Sequence, residues 1–578
     1  MKRALPGVVI ALAALLFAQD PIVGPQVRIG NDPLSNSSDE TSASAVTSDG
    51  SEIVGGWNDY RTDGTIKAGF AVSSNFGQTW ANLVIRPPVA NQTSVEGDPM
   101  ACHDPRTGTL WAGAMAFGGN GGIYVARKNP GANTFQPSVM ARINGSVDKG
   151  WMAAGPQPGQ PNTTRVYITY NQGSIRSDDL GATWTVPTSL GSGIGFLPRV
   201  GPNGEVYVTY WDFSNGVMLR RSLDGGGTFS APIRIATRMD VWSTEFNNIR
   251  FPGSYRVPPI HTMAVDPVSG HLYVVYFDTT NIIGGNRNVD LYFVKSTNQG
   301  VTWSTPVRMP FRSLTTVGDQ FFPWLEVDAR GRLQLLFFDT QNTVQNDGSP
   351  DGFLDQYYAY SDDGGDNWTK FRLTPQSFNA RLDGRNAGTS FMGDYQGIGF
   401  GGRYVYPVYL STITAQAEIY TNVIYDPVVW PSSFNVVRGQ LQSGNLASLN
   451  RNDDDRLVVR RGPTVTAQEA PINVEFTANS VASPPSSARL YFRSLVSTAN
   501  LEQKVEAFDL TNQAWTTLDT RGATTTETLT DVVIPDPARY FTPGSGTIRY
   551  RVTYRAVGPT ATSQWTASLD QAVVIAVP

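Results

Sequence analysis

Cysteine, histidine and charged residues are scarce in this chain. Of its 578 residues, one is cysteine (Cys102) and three are histidine. An intrachain disulfide and a zinc cluster built on cysteine are therefore excluded, and a histidine-rich metal site is not expected. Charged residues make up 16% of the chain, against about 25% in an average globular protein. With 44 basic and 49 acidic residues, the chain lacks the basic excess of a nucleic-acid-binding protein.

Glycine, proline and aromatic residues are abundant instead. The chain holds 57 glycines and 38 prolines, and aromatic residues make up 11% of it. This composition favours short strands joined by tight turns. A helical protein would be richer in Ala, Leu, Glu and Lys, and a disordered chain would hold fewer aromatic residues. We therefore predict an all-β protein, and its length of 578 residues predicts two or three domains.

Residues 1–19 have the pattern of a secretory signal peptide. Lys2 and Arg3 precede an apolar stretch over residues 5–17, and Ala18 is a small residue suited to cleavage. The stretch is too short for a membrane span, and no later segment has 18 consecutive apolar residues. We therefore expect a secreted protein, extracellular or periplasmic, without a membrane span. A buried N-terminal strand or an uncleaved anchor is the alternative.

One motif recurs five times between residues 73 and 368. It reads S-x-(D/N)-x-G-x-(T/N)-(W/F), and its copies are SSNFGQTW (73–80), SDDLGATW (177–184), SLDGGGTF (222–229), STNQGVTW (296–303) and SDDGGDNW (361–368). The Asp or Asn predicts a turn closed on its own backbone, and the Gly supplies a positive φ. We expect the final aromatic residue to pack the turn against a neighbouring sheet.

Apolar or alternating segments around each motif predict four antiparallel strands per repeat. Seven units can be counted, with inner strands near residues 43, 100, 151, 198, 262, 323 and 397. Such repeats, about 57 residues each, predict a seven-bladed β-propeller over residues 20–430, with six blades of about 67 residues as the alternative. The last unit lacks a fourth strand. We expect residues 26–30 to complete it and so to remove an exposed sheet edge.

The pattern changes after Pro431. The motif does not recur, and residues 434–578 contain candidate strands such as RLYFRSL and TIRYRVTYRAV. These predict a second all-β domain, a β-sandwich or jelly roll. This domain is expected either to bind carbohydrate or to act as a spacer or anchor.

The repeated motif resembles the Asp-box (BNR) repeat of the sialidase superfamily, and the match extends over roughly residues 40–430. The resemblance implies an Asp-box propeller and a glycoside hydrolase of exo-α-sialidase type. Such enzymes use three arginines on the substrate carboxylate, an Asp acid/base and a Tyr–Glu nucleophile pair. On this resemblance the candidate catalytic residues are Arg61 and Asp63 in WNDYRTDG, Asp98 in EGDPM and Tyr395 in GDYQG.

The arginine triad implied by the resemblance is incomplete. Arg28 in VRIG belongs by its register to the closing outer strand, and Arg199 in LPRV and Arg256 in YRVPP are the nearest matches to the two later arginines. Asp boxes also occur in other glycosidases, in sorting receptors and in secreted propellers. The motif therefore indicates the fold rather than the reaction.

Polar residues gather at the starts of the inner strands, where a propeller binds its ligands. They are Asp39, Glu40, Glu96, Asp98, Asp148, Lys149, Arg199, His261, Asp319 and Asp394. Carboxylates dominate this set, which disfavours an anionic sugar and suits a neutral sugar held between acid and base groups. The candidate substrate-binding residues are Arg199, Glu40, Asp148, His261, Asp319 and Asp394. The alternatives are a Ca²⁺ site and carboxylates that cap strand ends through backbone N–H groups.

The sequence thus favours a secreted, sialidase-like propeller that hydrolyses glycans, with no cofactor predicted. A glycan or glycoconjugate is the predicted partner, and the oligomeric state is not indicated. A non-catalytic propeller that binds carbohydrate or protein is the alternative, and a calcium-dependent adhesion or envelope-associated module is a third hypothesis.

Overall fold

A computed structural model describes most of the chain beyond the N-terminal residues. The described residues are 20–30, 38–60, 65–237, 257–283, 286–316, 318–340, 353–380, 382, 392–449, 455–466, 469–480, 484–560 and 564–577, with residues 38–44, 282–283 and 286–287 described by their backbone. The chain folds into two compact units, one of which is Val23–Tyr425 while the other contains the residues from Asp426 onward.

The described residues are almost entirely strands and turns, as the composition predicts. Seven antiparallel sheets follow one another along the first unit. After β1 (Ile22–Arg28), sheet 1 holds β2 (Ser38–Val46), β3 (Ile53–Asp59), β4 (Lys67–Ser73) and β5 (Ala81–Val84); sheet 2 holds β6 (Glu96–Asp104), β7 (Thr109–Ala116), β8 (Gly122–Lys128) and β9 (Val139–Ile143); sheet 3 holds β10 (Trp151–Gln157), β11 (Gln160–Tyr170) and β12 (Gly173–Ser177).

The remaining four sheets of this unit repeat the same order of strands. Sheet 4 holds β13 (Ile194–Val200), β14 (Val206–Asp212), β15 (Gly216–Ser222) and β16 (Ile233–Ala236); sheet 5 holds β17 (Thr262–Val265), β18 (Leu272–Ile283), β19 (Asn286–Ser296) and β20 (Val307–Arg308); sheet 6 holds β21 (Gln320–Val327), β22 (Leu333–Asp339), β23 (Phe353–Ser361) and β24 (Thr369–Arg372), with β25 (Phe378–Asn379) paired to β23; sheet 7 holds β26 (Gly397–Gly401), β27 (Tyr404–Ser411) and β28 (Glu418–Tyr425).

The first strands of the seven sheets touch one another in a cycle. β2 lies against β6, β6 lies against β10, and the order continues through β13, β17, β21 and β26 back to β2. Every residue of β3, β7 and β22 is buried. A strand that is buried on both faces must be covered on both sides, so the sheets of this unit pack face to face.

Three of the seven sheets depart from the predicted four-strand unit, sheet 6 by the additional strand β25. Sheet 3 has three named strands among the described residues, and Thr188 forms an isolated bridge to Ser174 in place of a fourth. Sheet 7 receives its outer strand from the N-terminal region, because β1 pairs with β28. The prediction that this region completes the last unit is confirmed, although the strand covers Ile22–Arg28 rather than residues 26–30.

Side-chain contacts fix β1 in place. Arg28 Nε lies 2.9 Å from Glu418 Oε2, and the carboxylate of Glu418 is fully buried. Gln26 Nε2 donates a hydrogen bond of 3.1 Å to the hydroxyl of Tyr409. Arg28 therefore acts on the outer strand, as its register in the sequence predicts.

The repeated motif forms a turn held by its own side chains. In the third copy, Gly226 N donates to Ser222 Oγ at 2.7 Å, and Thr228 N donates to Asp224 Oδ1 at 2.9 Å. Gly226 has a φ of 82°, which an L side chain rarely adopts. Burial acts to raise the pKa of Asp224. Hydrogen bonds from Ser222, Thr228 and Gly227 outweigh this effect and lower the pKa to about 2.

The glycine and the last aromatic residue of the motif tie each turn to its surroundings. Trp368 Nε1 donates to the carbonyl of Gly365 in its own turn at 3.0 Å, and its ring lies 5.8 Å from that of Phe293 in sheet 5. Packing against a neighbouring sheet was the predicted role of this tryptophan, and the hydrogen bond to its own turn is an additional one. Gly365 itself lies against the Phe293 ring.

The second unit contains two six-stranded antiparallel sheets that share a core. One holds β29 (Val428–Val429), β31 (Gln440–Ser443), β32 (Leu457–Arg460), β34 (Ser487–Val496), β37 (Thr528–Ile534) and β40 (Thr566–Val577); the other holds β30 (Pro431–Arg438), β33 (Ile472–Asn479), β35 (Leu501–Asp509), β36 (Ala514–Gly522), β38 (Phe541–Thr542) and β39 (Thr547–Ala556). Two short 3-10 helices cover Ala447–Leu449 and Pro537–Arg539. Phe492 of the first sheet packs on Phe476 and Tyr550 of the second, with ring centroids 5.9 Å apart in both pairs.

The two adjacent glycines of the last motif allow backbone conformation and packing to be tested separately. Gly364 and Gly365 have φ values of 67° and 92°. A Cβ at position 365 would overlap the Phe293 ring, whereas at position 364 the nearest atom would be Tyr273 Oη at 3.7 Å. We expect Gly365→Ala to lower the free energy of unfolding by about 3 kcal/mol and Gly364→Ala by about 1 kcal/mol in chemical denaturation. Equal losses would show that the contact with sheet 5 is unimportant.

The pairing of Arg28 with Glu418 gives a second prediction. Arg28→Met leaves the buried Glu418 carboxylate without this cation, so the unfolding free energy should fall by about 3 kcal/mol. The double variant Arg28→Met/Glu418→Gln should recover part of that loss, because the buried charge is gone. A single variant as stable as the wild type in urea denaturation would mean that β1 is not fixed by this ion pair.

Candidate functional site

The starts of several first strands are irregular, and the irregularity sets the direction of their side chains. The register shifts between Asp39 and Ala43 in β2, between Gly97 and Met100 in β6, and between Phe321 and Trp324 in β21. A shift of this kind is a β-bulge, which bends the strand and redirects a side chain. In sheet 2 the bulge contains Asp98.

Asp98 is held in a left-handed backbone conformation by neighbours from two other sheets. Asp98 has a φ of 49° and is 6% exposed. Its backbone N–H donates to Asn58 Oδ1 at 2.9 Å, and its Oδ2 accepts from the backbone N–H of Lys149 at 3.1 Å. A Cβ at position 97 would lie 2.8 Å from Asn58 Oδ1, so glycine is needed beside Asp98.

Lys149 connects Asp98 to the last sheet. It lies just before β10, with a φ of 53°, and its Nζ is 2.5 Å from Asp394 Oδ2. The same ammonium group lies 5.4 Å from the centre of the Tyr395 ring. We call Asp98, Lys149, Trp151, Asp394 and Tyr395 the Asp98 cluster. All five residues are buried, so the strand starts of sheets 2, 3 and 7 meet in one charged group.

Burial makes Asp98 a weaker acid than an ordinary aspartate. Burial raises its pKa, the carboxylates of Asp148 and Asp394 raise it further, and the ammonium and backbone N–H of Lys149 act in the opposite direction. The net effect is a raised pKa, because burial dominates. Asp98 therefore holds its proton to higher pH than a surface aspartate and is suited to donating it.

Aromatic side chains form one wall of the cluster. The ring of Trp151 lies 5.2 Å from that of Tyr395 at 62°, and 6.4 Å from that of Trp324. Trp151 Nε1 is buried and has no hydrogen-bond partner among the described residues. Trp151 and Tyr395 are each 3% exposed, so these rings pack on one another inside the cluster.

Arg199 is not a member of the Asp98 cluster, but it approaches the cluster through Trp324, whose ring packs on Trp151. It is near the end of β13 rather than at its start, and Nη2 donates to Glu326 Oε1 at 2.6 Å. Its guanidinium also lies 5.7 Å from the centre of the Trp324 ring. Glu326 thus supplies a negative charge beside the Arg199 guanidinium, and the role of Arg199 in substrate binding stays a prediction.

Three other predicted residues lie at strand starts outside the cluster. Asp148 is half-buried beside Lys149, and its backbone N–H donates to Asn171 Oδ1 at 3.1 Å. Asp319 Oδ1 accepts from the backbone N–H of Val289 at 3.0 Å, which is the capping role considered as the alternative for these carboxylates. His261 is buried, and burial lowers its pKa to about 4, so it is neutral near pH 7.

The remaining candidates lie outside the described side chains. Arg61, Asp63 and Arg256 are outside the described residues, and Glu40 is described by its backbone in β2. Lys67, just after the segment that holds Arg61 and Asp63, places its Nζ 3.9 Å from Glu96 Oε1 in β6. Within the described residues, no group of three or more His, Cys, Asp or Glu side chains could hold a metal ion.

Sequence reasoning missed two contacts in the site, that of Lys149 with Asp394 and that of Asn58 with Asp98. Lys149 is recognisable as a cation at a strand start, but nothing local indicates Asp394, 245 residues away, as its partner. Asn58 lies in WND at the end of β3, and its contact with Asp98 depends on packing between sheets 1 and 2. A repeated strand pattern alone could not have found either contact.

Comparison with known proteins yields structural similarities only. No protein-family model and no curated protein matches the chain. Similar solved structures include Hadza microbial sialidase Hz136 (16% identity, TM-score 0.34, 67% of this chain and 65% of that chain). They also include the BP39L lectin from Burkholderia pseudomallei (14%, TM-score 0.40, 68% and 97%) and Trypanosoma rangeli sialidase (12%, TM-score 0.34, 95% and 96%).

Sialidases are thus among the structures to which this chain is similar, and the predicted resemblance is confirmed to that extent. At TM-scores below 0.5 these similarities say nothing about its reaction. Among the described residues, no helix is long and apolar enough to cross a membrane.

The raised pKa of Asp98 predicts an unusual effect on stability. Its folded pKa lies above the unfolded value near 3.8, so ionised Asp98 destabilises the fold increasingly as the pH rises through the folded pKa. Asp98→Asn removes this penalty, and asparagine tolerates the left-handed backbone. We expect the thermal midpoint of the variant, relative to wild type, to be higher at pH 7 than at pH 4.

Asp104→Asn is the matched control, because Asp104 is a buried carboxylate at the other end of β6. It pairs with Arg106 at 2.8 Å, so its loss should destabilise the protein at pH 7. If Asp98→Asn lowered the thermal midpoint by the same amount at pH 4 and at pH 7, the raised pKa of Asp98 would be contradicted.

Proposed function

We propose that the first unit is a seven-bladed β-propeller and that the Asp98 cluster lies at one end of its central axis. The cyclic order of the seven first strands supports this proposal, as does the outer strand that β1 supplies to sheet 7. The second unit is proposed to be a β-sandwich, on the basis of its two sheets with a shared core. Residues 1–19 support export of the protein.

We further propose that the propeller is a glycoside hydrolase in which Asp98 is the general acid. The observation that carries this proposal is a buried carboxyl group in a strained backbone, adjoining a second strained and charged residue. Asp98 and Lys149 both have positive φ, which costs about 1 kcal/mol each. Buried ion clusters seldom repay the cost of removing charge from water, so this arrangement is better explained by chemistry than by stability.

A neutral glycan is the proposed substrate class. The Asp98 carboxyl group is influenced by two further carboxylates, those of Asp148 and Asp394, and by one ammonium group, that of Lys149, which is paired with Asp394. An anionic sugar would be repelled there, since repulsion strengthens as water is removed. The aromatic rings of Trp151 and Tyr395 are of the kind that stacks on a sugar ring.

Carbohydrate binding without turnover is the second candidate function. It is favoured by the pairing of Asp394 with Lys149, because a carboxylate neutralised at 2.5 Å is a poor base or nucleophile. If Asp148 does not take that role, the site has an acid without a partner and would bind a glycan without cleaving it.

Turnover by wild type, Asp98→Asn and Asp104→Asn should be measured on paired substrates. The panel consists of neutral glycosides and α-sialosides, each with a good aryl and a poor alkyl leaving group. Loss of a general acid should lower kcat by about 100-fold or more for the poor leaving group and much less for the good one. Asp104→Asn should behave like wild type in this respect.

The outcomes separate the candidates. Cleavage of neutral glycosides with the predicted dependence on leaving group supports the proposal. Binding of neutral oligosaccharides in calorimetry without cleavage supports the second function. Cleavage confined to sialosides contradicts the proposed substrate class, and turnover that is insensitive to Asp98→Asn contradicts the assignment of the acid.

A further inference from the structure

Lys149 bonds to residues of two different sheets. Its backbone N–H donates to Asp98 Oδ2 at 3.1 Å in sheet 2, and its Nζ reaches Asp394 Oδ2 at 2.5 Å, just before sheet 7. Lys149 itself precedes sheet 3. In the cycle of first strands, sheets 3 and 7 are separated by sheets 1 and 2, so its side chain crosses the cycle instead of following it.

The backbone conformation of Lys149 is what allows both contacts. Its φ of 53° is left-handed, which is uncommon for a residue with a long side chain. Gly150 follows it, where a Cβ would lie 2.9 Å from Met100 Cε of sheet 2. In the sequence Lys149-Gly150-Trp151, the Lys149 amide therefore lies close to Asp98 while the Lys149 side chain extends to Asp394. The ring of Trp151 packs on Tyr395.

We propose that Lys149 is a positioning residue that holds the Asp98 and Asp394 carboxyl groups in one arrangement across the cycle of sheets. The inference rests on the proposed role of Asp98 as an acid. It names a residue that the resemblance to sialidases does not supply, since the catalytic groups implied by that resemblance are arginines, aspartate, tyrosine and glutamate.

The charges that face Asp98 predict how it responds to changes in its neighbours. Among the residues that the structure describes, the facing charged groups are the Lys149 ammonium, which favours ionised Asp98, and the Asp148 and Asp394 carboxylates, which disfavour it. Asn58 on β3 is neutral. Removing the ammonium should raise the pKa of Asp98. Removing the charge of Asp394 should lower it, both by losing a carboxylate and by leaving the ammonium less neutralised.

The test measures the alkaline limb of kcat/KM against pH for wild type and for variants of Lys149 and Asp394. An acid that works when protonated loses activity as pH rises through its pKa, so Lys149→Met should move the limb to higher pH by about one unit and Asp394→Asn should move it to lower pH. Lys149→Arg retains the charge and should remain close to wild type. Opposite shifts are not expected from structural damage alone.

Lys128→Met is the matched control. Lys128 is also a buried lysine paired with a carboxylate, since its Nζ lies 2.7 Å from Glu52 Oε2 and its side chain is 4% exposed. It lies at the end of β8, level with the end of β6, whereas Asp98 lies near the start of β6. Its loss should reduce stability without moving the pH limb. A Lys149→Met variant whose limb superimposes on that of wild type would overturn the proposal.

A second readout does not depend on turnover. The difference in unfolding free energy between each protein and its Asp98→Asn derivative should grow with pH above about 4. That growth should be larger in the Lys149→Met background than in wild type and smaller in the Asp394→Asn background. If this free-energy difference grows equally with pH in all backgrounds, the proposal is overturned. If it grows as predicted but no glycoside is cleaved, the hydrolase is refuted and Lys149 remains the positioning residue. If Lys149→Met fails to fold, Asp394→Asn and Lys149→Arg still provide the comparison.

Discussion

The packing of the glycine of each motif turn against the preceding sheet is the constraint on which the first unit depends. In the five copies the glycine lies against Val423, Trp111, Tyr167, Leu219 and Phe293, which belong to the sheets that precede them in the cycle. A side chain at the glycine would push the sheets apart, and the Ser and Asp of the motif hold the glycine in place. The turns therefore help to set how sheets 1, 3, 4, 5 and 6 each stack on the sheet before them.

Convergence of the strand starts produces the Asp98 cluster. Each sheet alone offers one or two polar residues, and only the stacking of the sheets brings Asp98, Lys149 and Asp394 together. The cost of this arrangement is three buried charged groups and two strained residues. Regular pairing within the sheets and the ion pair of Arg28 with Glu418 stabilise the fold elsewhere. The site thus has the character of a functional region supported by a stable scaffold.

Local sequence determines the features that were predicted successfully. The motif turns need residues within eight positions of one another, and the strand order follows from short turns, so both could be predicted. β1 could be placed because its pattern matches that of other fourth strands. The shortened sheet 3 could not be predicted, because the residues after β12 resemble the other units and yet form one isolated bridge.

Long-range contacts explain why the site was predicted less completely. Asp98, Tyr395 and Asp394 are candidates from the sequence that the fold brings together. Arg199, by contrast, is predicted at the start of its strand, whereas it lies near the end and pairs with Glu326, 127 residues away. The carboxylate of Asp319 accepts a hydrogen bond from the backbone N–H group of Val289 in sheet 5. These partners are set by packing between sheets and by bulges, which residue type and spacing do not encode.

The most direct test of the central claim is a crystal structure of the full chain with a neutral oligosaccharide bound. The proposed function predicts a sugar ring stacked on the wall of Trp151 and Tyr395, with an oxygen within hydrogen-bond distance of the Asp98 carboxyl group. Sugar bound elsewhere in the crystal, with Asp98, Lys149 and Asp394 not touching it, would contradict the proposed site.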